Sequence, residues 1–346
     1  MPTRIRDVAE LAQVSPSTVS RILRGDTSNG FGVSEETRRR VLSIARGLNY
    51  QANAAASAMS SGRTGLIGVV VYPVSASFLE RILAGMQEFV MRRSLGIVLF
   101  TVPGLSDLPE QKILSAIYSR QVDGLIMAHC EPSPGLIRAL DDQQVPYVMI
   151  SPIATPGRAA VHVDDREGGR LAARHLIELG HREIAVMGVS SDYSEARYAG
   201  ALDEADAHGI ALWRALRPLS DPAIESLAKW DQGEVMCRAL LAQRPHASAI
   251  ICTEDYFAAG ALTALRKMGM SAPDDLSIVG YDDLYWSAFF APPITTVHQP
   301  KEVQGARSMQ LLQEILDGRE PSEVWLEPSL VVRETTGPPA VRRRTS

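Results

Sequence analysis

Apolar positions near the start of the chain recur at helical spacing, stop after about residue 12 and restart after a short turn. The centre of this stretch reads Val8-Ala9-Glu10-Leu11-Ala12-Gln13-Val14-Ser15-Pro16-Ser17-Thr18-Val19-Ser20-Arg21. Ser15 suits an N-cap, because its hydroxyl can accept from an orphan N–H of the first turn. Pro16 then falls at the first helical position, where its missing N–H costs nothing. A third helix is expected from Ser34, with Glu35 and Glu36 in the turn where the helix dipole favours anions. Val41, Ile44, Ala45 and Leu48 mark its apolar face. The spacing thus predicts helices at about 5–12, 16–23 and 35–48, closing a three-helix core too small to be very stable alone. Two short helices joined by a tight turn, the second opening with small polar side chains, form the arrangement with which a helix-turn-helix enters a major groove.

Residues 51–62 are Ala-rich, small and nearly uncharged. One helix shorter than ~12 residues is marginal in water, so this segment reads as a hinge that folds only when held. From Gly65 the pattern changes to short β-branched and apolar runs alternating with helical segments. Strands are expected at 66–72, 97–102, 124–128, 147–150 and 161–163, then at 184–188, 249–253 and 277–280. Helices are expected at about 78–93, 108–120, 134–143, 166–180, 194–208, 231–243, 255–269 and 301–317. Such alternation implies parallel sheets with helices on both faces, and two series imply two similar α/β subdomains. The fold class is therefore an all-α helix-turn-helix head on an α/β body of two doubly wound parallel sheets.

Composition sharpens this division. The 346 residues are 45% hydrophobic and 22% charged, ordinary for a globular chain of two or three domains. The net charge of −5 is unevenly spread: residues 1–63 hold nine arginines against five acids, leaving −9 on the remainder. A small basic head on an acidic body suits a phosphate-binding module attached to one that binds something else. Cys130, Cys237 and Cys252 are scattered, with no CxxC, which fits structural thiols in a reducing cytoplasm. The first residues contain no apolar stretch of a signal peptide, and no run approaches the ~20 apolar residues of a membrane span. A cytoplasmic, nucleoid-associated protein without membrane contact is expected. The arginine-rich end at 342–344 reads as a solvated tail.

Several runs together resemble the LacI/GalR family of transcriptional regulators over essentially the whole length. They are Ile5-Arg6-Asp7-Val8-Ala9, Val14-Ser15 through Thr18-Val19-Ser20-Arg21, Val33-Ser34-Glu35-Glu36-Thr37-Arg38 and Asn53-Ala54-Ala55-Ala56. Further on come Val122-Asp123-Gly124-Leu125-Ile126 and His175-Leu176-Ile177-Glu178-Leu179-Gly180-His181-Arg182. Gly280-Tyr281-Asp282-Asp283 and Pro292-Pro293-Ile294-Thr295-Thr296-Val297-His298-Gln299-Pro300 close the series. The resemblance implies a DNA-binding head at 1–49, a hinge at 50–63, and a body of periplasmic-binding-protein type at 64–337, followed by a tail at 338–346. Its N-subdomain would comprise 64–161 plus 293–321, and its C-subdomain 162–292 plus 322–337.

The resemblance also implies sites. Pro16, Ser17 and Arg21 match base-reading positions, with Arg21 the bidentate donor to guanine. Thr18, Ser34 and Thr37 match phosphate contacts, which fix register without reading sequence. Arg4 and Arg24 stand where the family commonly has Thr and Asn, and Arg24 can add a phosphate contact. Asn53 and Ala56 belong to the hinge, where Met59 matches a leucine that wedges into a central minor-groove step. The effector candidates are Phe78, Arg197, Glu254, Asp282 and Gln299, with Ser151 and Trp230 beside them. Phe78 offers a stacking face, Arg197 a donor fork, and Asp282 an acceptor for vicinal hydroxyls, which fits a carbohydrate-like small molecule. Glu254 stands where the family commonly has asparagine; an acid there removes two donors, adds charge and favours a cationic or hydroxyl-rich ligand or a different pocket register. A twofold homodimer, or a larger assembly, would place two heads on a pseudo-palindromic operator of double-stranded DNA.

Two other classes compete. A catalyst would need chemistry that is not visible: the chain has no P-loop, dinucleotide fingerprint or nucleophile elbow, and its His and Cys show no metal spacing, so no catalytic residue, metal or cofactor is expected. A secreted binding protein built on the same body is disfavoured by the basic head. Within regulators, a repressor is expected from the resemblance, with an activator as the alternative.

Overall fold

The computed structural model describes residues 3–24, 33–50, 63–71, 76–93, 95–101, 107–119, 121–128, 133–151, 157–218 and 220–340. The head consists of α1 (Ile5–Ala12), α2 (Pro16–Arg24) and α3 (Glu35–Gly47). Val8, Ala9, Ala12, Val19, Ile22, Val41 and Ala45 meet in one small core. The caps are those the side chains favour. Ser15 Oγ accepts from Thr18 N at 3.1 Å, and Ser34 Oγ accepts from Thr37 N at 3.2 Å. Arg4 has no side-chain acceptor to cap α1, and Asp7 answers instead by taking the Arg4 N–H at 2.7 Å. α1 ends on Gln13 in the left-handed region, and Arg40 of α3 donates to the terminal carbonyl of Ala12 at 3.2 Å.

The body begins with β1 (Leu66–Val71), α4 (Ala76–Arg93), β2 (Gly96–Thr101), α5 (Asp107–Tyr118), β3 (Gly124–Ala128), α6 (Pro134–Asp142), β4 (Tyr147–Ile150) and β5 (Ala160–Val163). It continues with α7 (Asp165–Glu178), β6 (Ile184–Val189), α8 (Asp192–Ala207), β7 (Leu212–Arg217), α9 (Lys229–Gln243), β8 (Ala249–Cys252), α10 (Asp255–Lys267) and β9 (Ser277–Asp282). A short 3₁₀ turn at Tyr285–Phe289 leads to β10 (Thr295–His298), α11 (Lys301–Leu316), β11 (Glu323–Leu326) and β12 (Ser329–Val331).

Two six-stranded sheets result, ordered β11-β5-β4-β3-β1-β2 and β12-β10-β9-β8-β6-β7. All pairings are parallel except β10 with β12. Central strands such as β3 and β9 are buried along their length, as parallel sheets covered on both faces require. The strand membership differs from the subdomain limits expected above. Residues 162–163 belong to the first sheet with β11, and β10 belongs to the second. The chain therefore crosses between sheets at 163–165, 298–301 and 326–329. The reason is that β10 completes a parallel register with β9, Thr295 beside Val279 through His298 beside Asp282. β7, β10, β11 and β12 were not expected from the sequence.

Two features position the carboxyl edges of the sheets. α7 and α8 pack at backbone contact: a Cβ on Gly169 would strike the Arg197 carbonyl, and one on Gly200 the Arg166 carbonyl. Along that seam Arg166 grips Asp203 at 2.7 and 2.8 Å, and Arg174 grips Glu204 at 3.1 and 2.9 Å. Trp286 packs against the cores of both subdomains and so ties them at their junction.

Candidate DNA-binding surface and effector cleft

The opening of α2 lies on the protein surface. Pro16, Ser17 and Arg21 are exposed, while Val19 and Ile22 anchor the helix from beneath. Ser15 Oγ also lies 2.7 Å from Ser17 Oγ and 2.8 Å from Thr18 Oγ1, so three hydroxyls cluster at the first turn. Ser34 and Thr37 repeat the arrangement at the start of α3, their hydroxyls 2.9 Å apart. A helix N-terminus with exposed hydroxyls presents N–H groups and partial positive charge, which is what a phosphate accepts. Arg4 is exposed at the start of α1. Arg24 closes α2, but its side chain lies outside the described residues, as do Asn53, Ala56 and Met59 of the hinge.

The second site lies where the strands of the body end. Asp282 is the last residue of β9, Ser151 follows β4, Glu254 caps α10 after β8, Gln299 follows β10, and Arg197 stands in the second turn of α8. This is the carboxyl edge at which α/β sheets bind ligands. Phe78, Ser151, Arg197, Glu254, Asp282 and Gln299 are all buried. The fold brings Arg197, Asp282 and Gln299 together: Gln299 Nε2 donates to Asp282 Oδ1 at 2.8 Å, and Arg197 Nη1 lies 3.8 Å from the same oxygen. Trp230 is placed differently. It is 39% exposed and joins Tyr256, Trp286 and Phe290 in a ring cluster with centroids 4.7 to 6.2 Å away.

Five side-chain partners were missed from the sequence: Asp165, Tyr281, Lys301, Tyr193 and Lys229. Asp165, at the start of α7, accepts from Arg197 Nε at 2.7 Å, while Nη1 donates to the Thr253 carbonyl. The guanidinium also lies over the ring of Tyr281, 3.6 Å from its centroid. Burial alone would lower the Arg197 pKa, but Asp165, Tyr281 and Asp282 outweigh it and raise it. Lys301, the first residue of α11, is 2% exposed. Its Nζ donates to the carbonyls of Asp282 and, at 3.2 Å, Gln299, and sits 5.5 Å from the Phe78 ring centroid. Asp282 and Asp283 both hold positive φ, 109° and 49°, which strains an L residue. Lys301 holds the carbonyl that this turn directs inward. Finally, Tyr193 OH and Lys229 Nζ donate to the two oxygens of Glu254 at 3.0 and 2.6 Å.

Burial is the main force on these groups. It pushes Asp282 up to about 7, with the negative charge of Glu254 adding to the push and Arg197 and Lys301 opposing it. It also raises Asp255 far above the usual carboxyl range, although Thr296 Oγ1 donates at 2.6 Å and Leu284 N at 2.8 Å. Asp283 points the other way, to His298 at 2.9 Å and to Arg333, and these bonds overcome burial to hold it at about 2. The wall therefore offers a cation, a carboxylate of adjustable charge and an amide within one buried patch. Such a set can accept from and donate to hydroxyls. Among the described residues, no group of three or more His, Cys, Asp or Glu could hold a metal, and no helix is long and apolar enough to cross a membrane.

Comparison with known proteins agrees with this two-part organisation. Residues 4–53 match the model of bacterial regulatory proteins of the lacI family, and 151–336 match the periplasmic binding protein-like domain. The chain belongs to the LacI family. It is 30% identical over 345 residues to the HTH-type transcriptional repressor PurR of Haemophilus influenzae, covering 96% of this chain and 98% of that protein. It is 31% identical over 342 residues to the ribose operon repressor of Haemophilus influenzae, with the same coverage. Among solved structures, the lac repressor dimer bound to operator and the anti-inducer ONPF superposes with a TM-score of 0.81 at 25% identity, over 97% of this chain and 100% of that one. This LacI-family member is a DNA-binding regulator with an effector-binding body, and its relatives are repressors rather than enzymes.

Proposed function

We propose that this protein is a cytoplasmic, nucleoid-associated repressor, acting as a homodimer on a pseudo-palindromic operator and switched by a carbohydrate-like molecule held in the cleft. Residues 1–49 form the reading head, 50–63 the hinge and 64–337 the switching body. Arg21, Pro16 and Ser17 read bases; Arg4, Thr18, Arg24, Ser34 and Thr37 hold phosphates; Asn53, Ala56 and Met59 act in the hinge. Phe78, Ser151, Arg197, Glu254, Asp282 and Gln299 make up the effector wall, with Trp230 at its margin.

The observation that carries this reading is the buried set Arg197, Asp282 and Gln299 at the carboxyl edge of the second sheet, in the same chain as an exposed recognition helix. Two relatives support repression by their names, and the operator-bound dimer supports a twofold assembly. An effector can move operator affinity only by its different affinity for two arrangements of the subdomains. The test is selection of genomic fragments by the purified chain, followed by anisotropy titration of the selected site. A twofold-related sequence bound by two chains supports the reading. Equal binding to unrelated DNA at physiological salt sinks it.

A further inference from the structure

The effector wall contains one carboxylate already engaged by the protein itself. Glu254 is buried, with a side chain 8% exposed, yet the Lys229 reaching it is half exposed. Its two oxygens are fully assigned, one to Tyr193 OH at 3.0 Å and one to Lys229 Nζ at 2.6 Å. The three residues come from three different helix starts. Tyr193 lies in the first turn of α8, Lys229 opens α9, and Glu254 caps α10 in extended conformation, giving none of its own oxygens to that helix's N–H groups. A phenol hydroxyl and a lysine, carried by the first turns of two different helices, thus converge on the Glu254 carboxylate. That point suits an anion, and a side chain of the protein fills it.

The neighbouring charges are balanced as well. Arg197 lies within 4 Å of the Asp165 and Asp282 carboxylates and Lys229 within 4 Å of that of Glu254, while Lys301 donates to the backbone carbonyl of Asp282. Arg197 also lies over the Tyr193 ring, 4.8 Å from its centroid, so the two ends of the network touch. Burial raises the pKa of Asp255, behind them, well above the usual carboxyl range. A second anion entering this wall would meet Glu254 and Asp282 at short range in a medium of low dielectric, where like charges repel strongly.

We propose that Glu254, locked by Lys229 and Tyr193, is a resident anion that closes the cleft to carboxylate- and phosphate-bearing effectors and selects uncharged polyhydroxyl ligands. The proposal rests on the cleft being the effector site. It accounts for an acid at a position where the resemblance leads one to expect an amide: the acid comes with its own cation and therefore does not recruit a cationic ligand. Losing the acid leaves Lys229 and the Tyr193 hydroxyl without their anion, and an outside anion then completes the set.

The test uses the full chain as wild type, Glu254→Gln, Glu254→Asn and Lys229→Met. Each is titrated by calorimetry and thermal shift at constant ionic strength with matched pairs: D-glucose and D-glucuronate, D-galactose and D-galacturonate, D-ribose and D-ribose 5-phosphate, and with sulfate. Near-ultraviolet dichroism confirms that each variant is folded, and two neutral replacements guard against one failing to fold. The expected result is that no anion raises the wild-type melting point. At least one then binds Glu254→Gln or Glu254→Asn about tenfold or more tightly than wild type. Lys229→Met, which keeps the acid, gains none. Anions stabilising wild type as strongly as Glu254→Gln, or failing to stabilise either neutral variant, overturn the proposal. If the anion gain appears while no sugar moves operator affinity, the charge rule holds and the effector reading fails.

Discussion

The head and the cleft wall use the same residue types in opposite ways. In the head, hydroxyls and arginines sit on the surface, and the cap contacts join groups three residues apart: Ser15 with Thr18, Ser34 with Thr37, and the Arg4 N–H with Asp7. In the cleft, the charges are buried and their partners come from distant elements: Arg197 with Asp165, Asp282 with Gln299, Glu254 with Lys229. The head's caps are thus local and lie at the surface. The wall is a non-local object whose charges are already balanced before any ligand arrives. A surface that must meet a polyanion can leave its cations in water at little cost. A buried site cannot, because each unpaired charge there costs several kcal/mol.

If that contrast is right, the largest effect comes from unpairing the wall. Arg197→Met leaves Asp165 and Asp282 without their shared cation. It should lower unfolding stability by about 3–5 kcal/mol in urea titration and abolish sugar binding. A loss under about 1 kcal/mol would mean the network is solvated like a surface pair.

Next comes pH. Asp282 sits at about 7 when folded, against about 4 in an unfolded chain. The native state therefore holds this proton more tightly. Its contribution to stability is full below pH about 4, falls as pH rises toward 7, and is flat above. The wild type minus Asp282→Asn difference in unfolding free energy should decline across that window, on the order of a few kcal/mol. A difference that rises with pH contradicts the burial argument.

The head should respond more modestly and in a different observable. Arg21→Ala should cost about 1–3 kcal/mol of discrimination between the operator and its variants in anisotropy titrations, with folding intact. Uniform weakening on all DNA would make Arg21 a phosphate contact. Smallest is Ser34→Ala, which removes the cap of α3 and should cost about 1 kcal/mol of head stability, read by amide exchange.

The same contrast explains what the sequence disclosed. The three head helices and the eight body helices were legible because apolar periodicity and caps are local. β7 was missed because an edge strand reading LWRALR carries two arginines, Arg214 exposed and Arg217 half-buried. β10, β11 and β12 were missed because strands of three or four residues are defined by their partners alone. Arg197, Glu254, Asp282 and Gln299 were singled out one by one, but the pairs that fix their charge were not. A signal did exist for both lysines. Lys229 and Lys301 each stand at the first position of a helix, where the dipole repels a cation, so each had to be held by something.

The central claim is that the acidic body governs a grip made by the head. It is tested by titrating labelled operator with the full chain, with and without a sugar that raises its melting point. A change in operator affinity of about fivefold or more, matched by an equal change in sugar affinity when operator is bound, is the predicted result. Identical operator curves at saturating sugar would contradict the account.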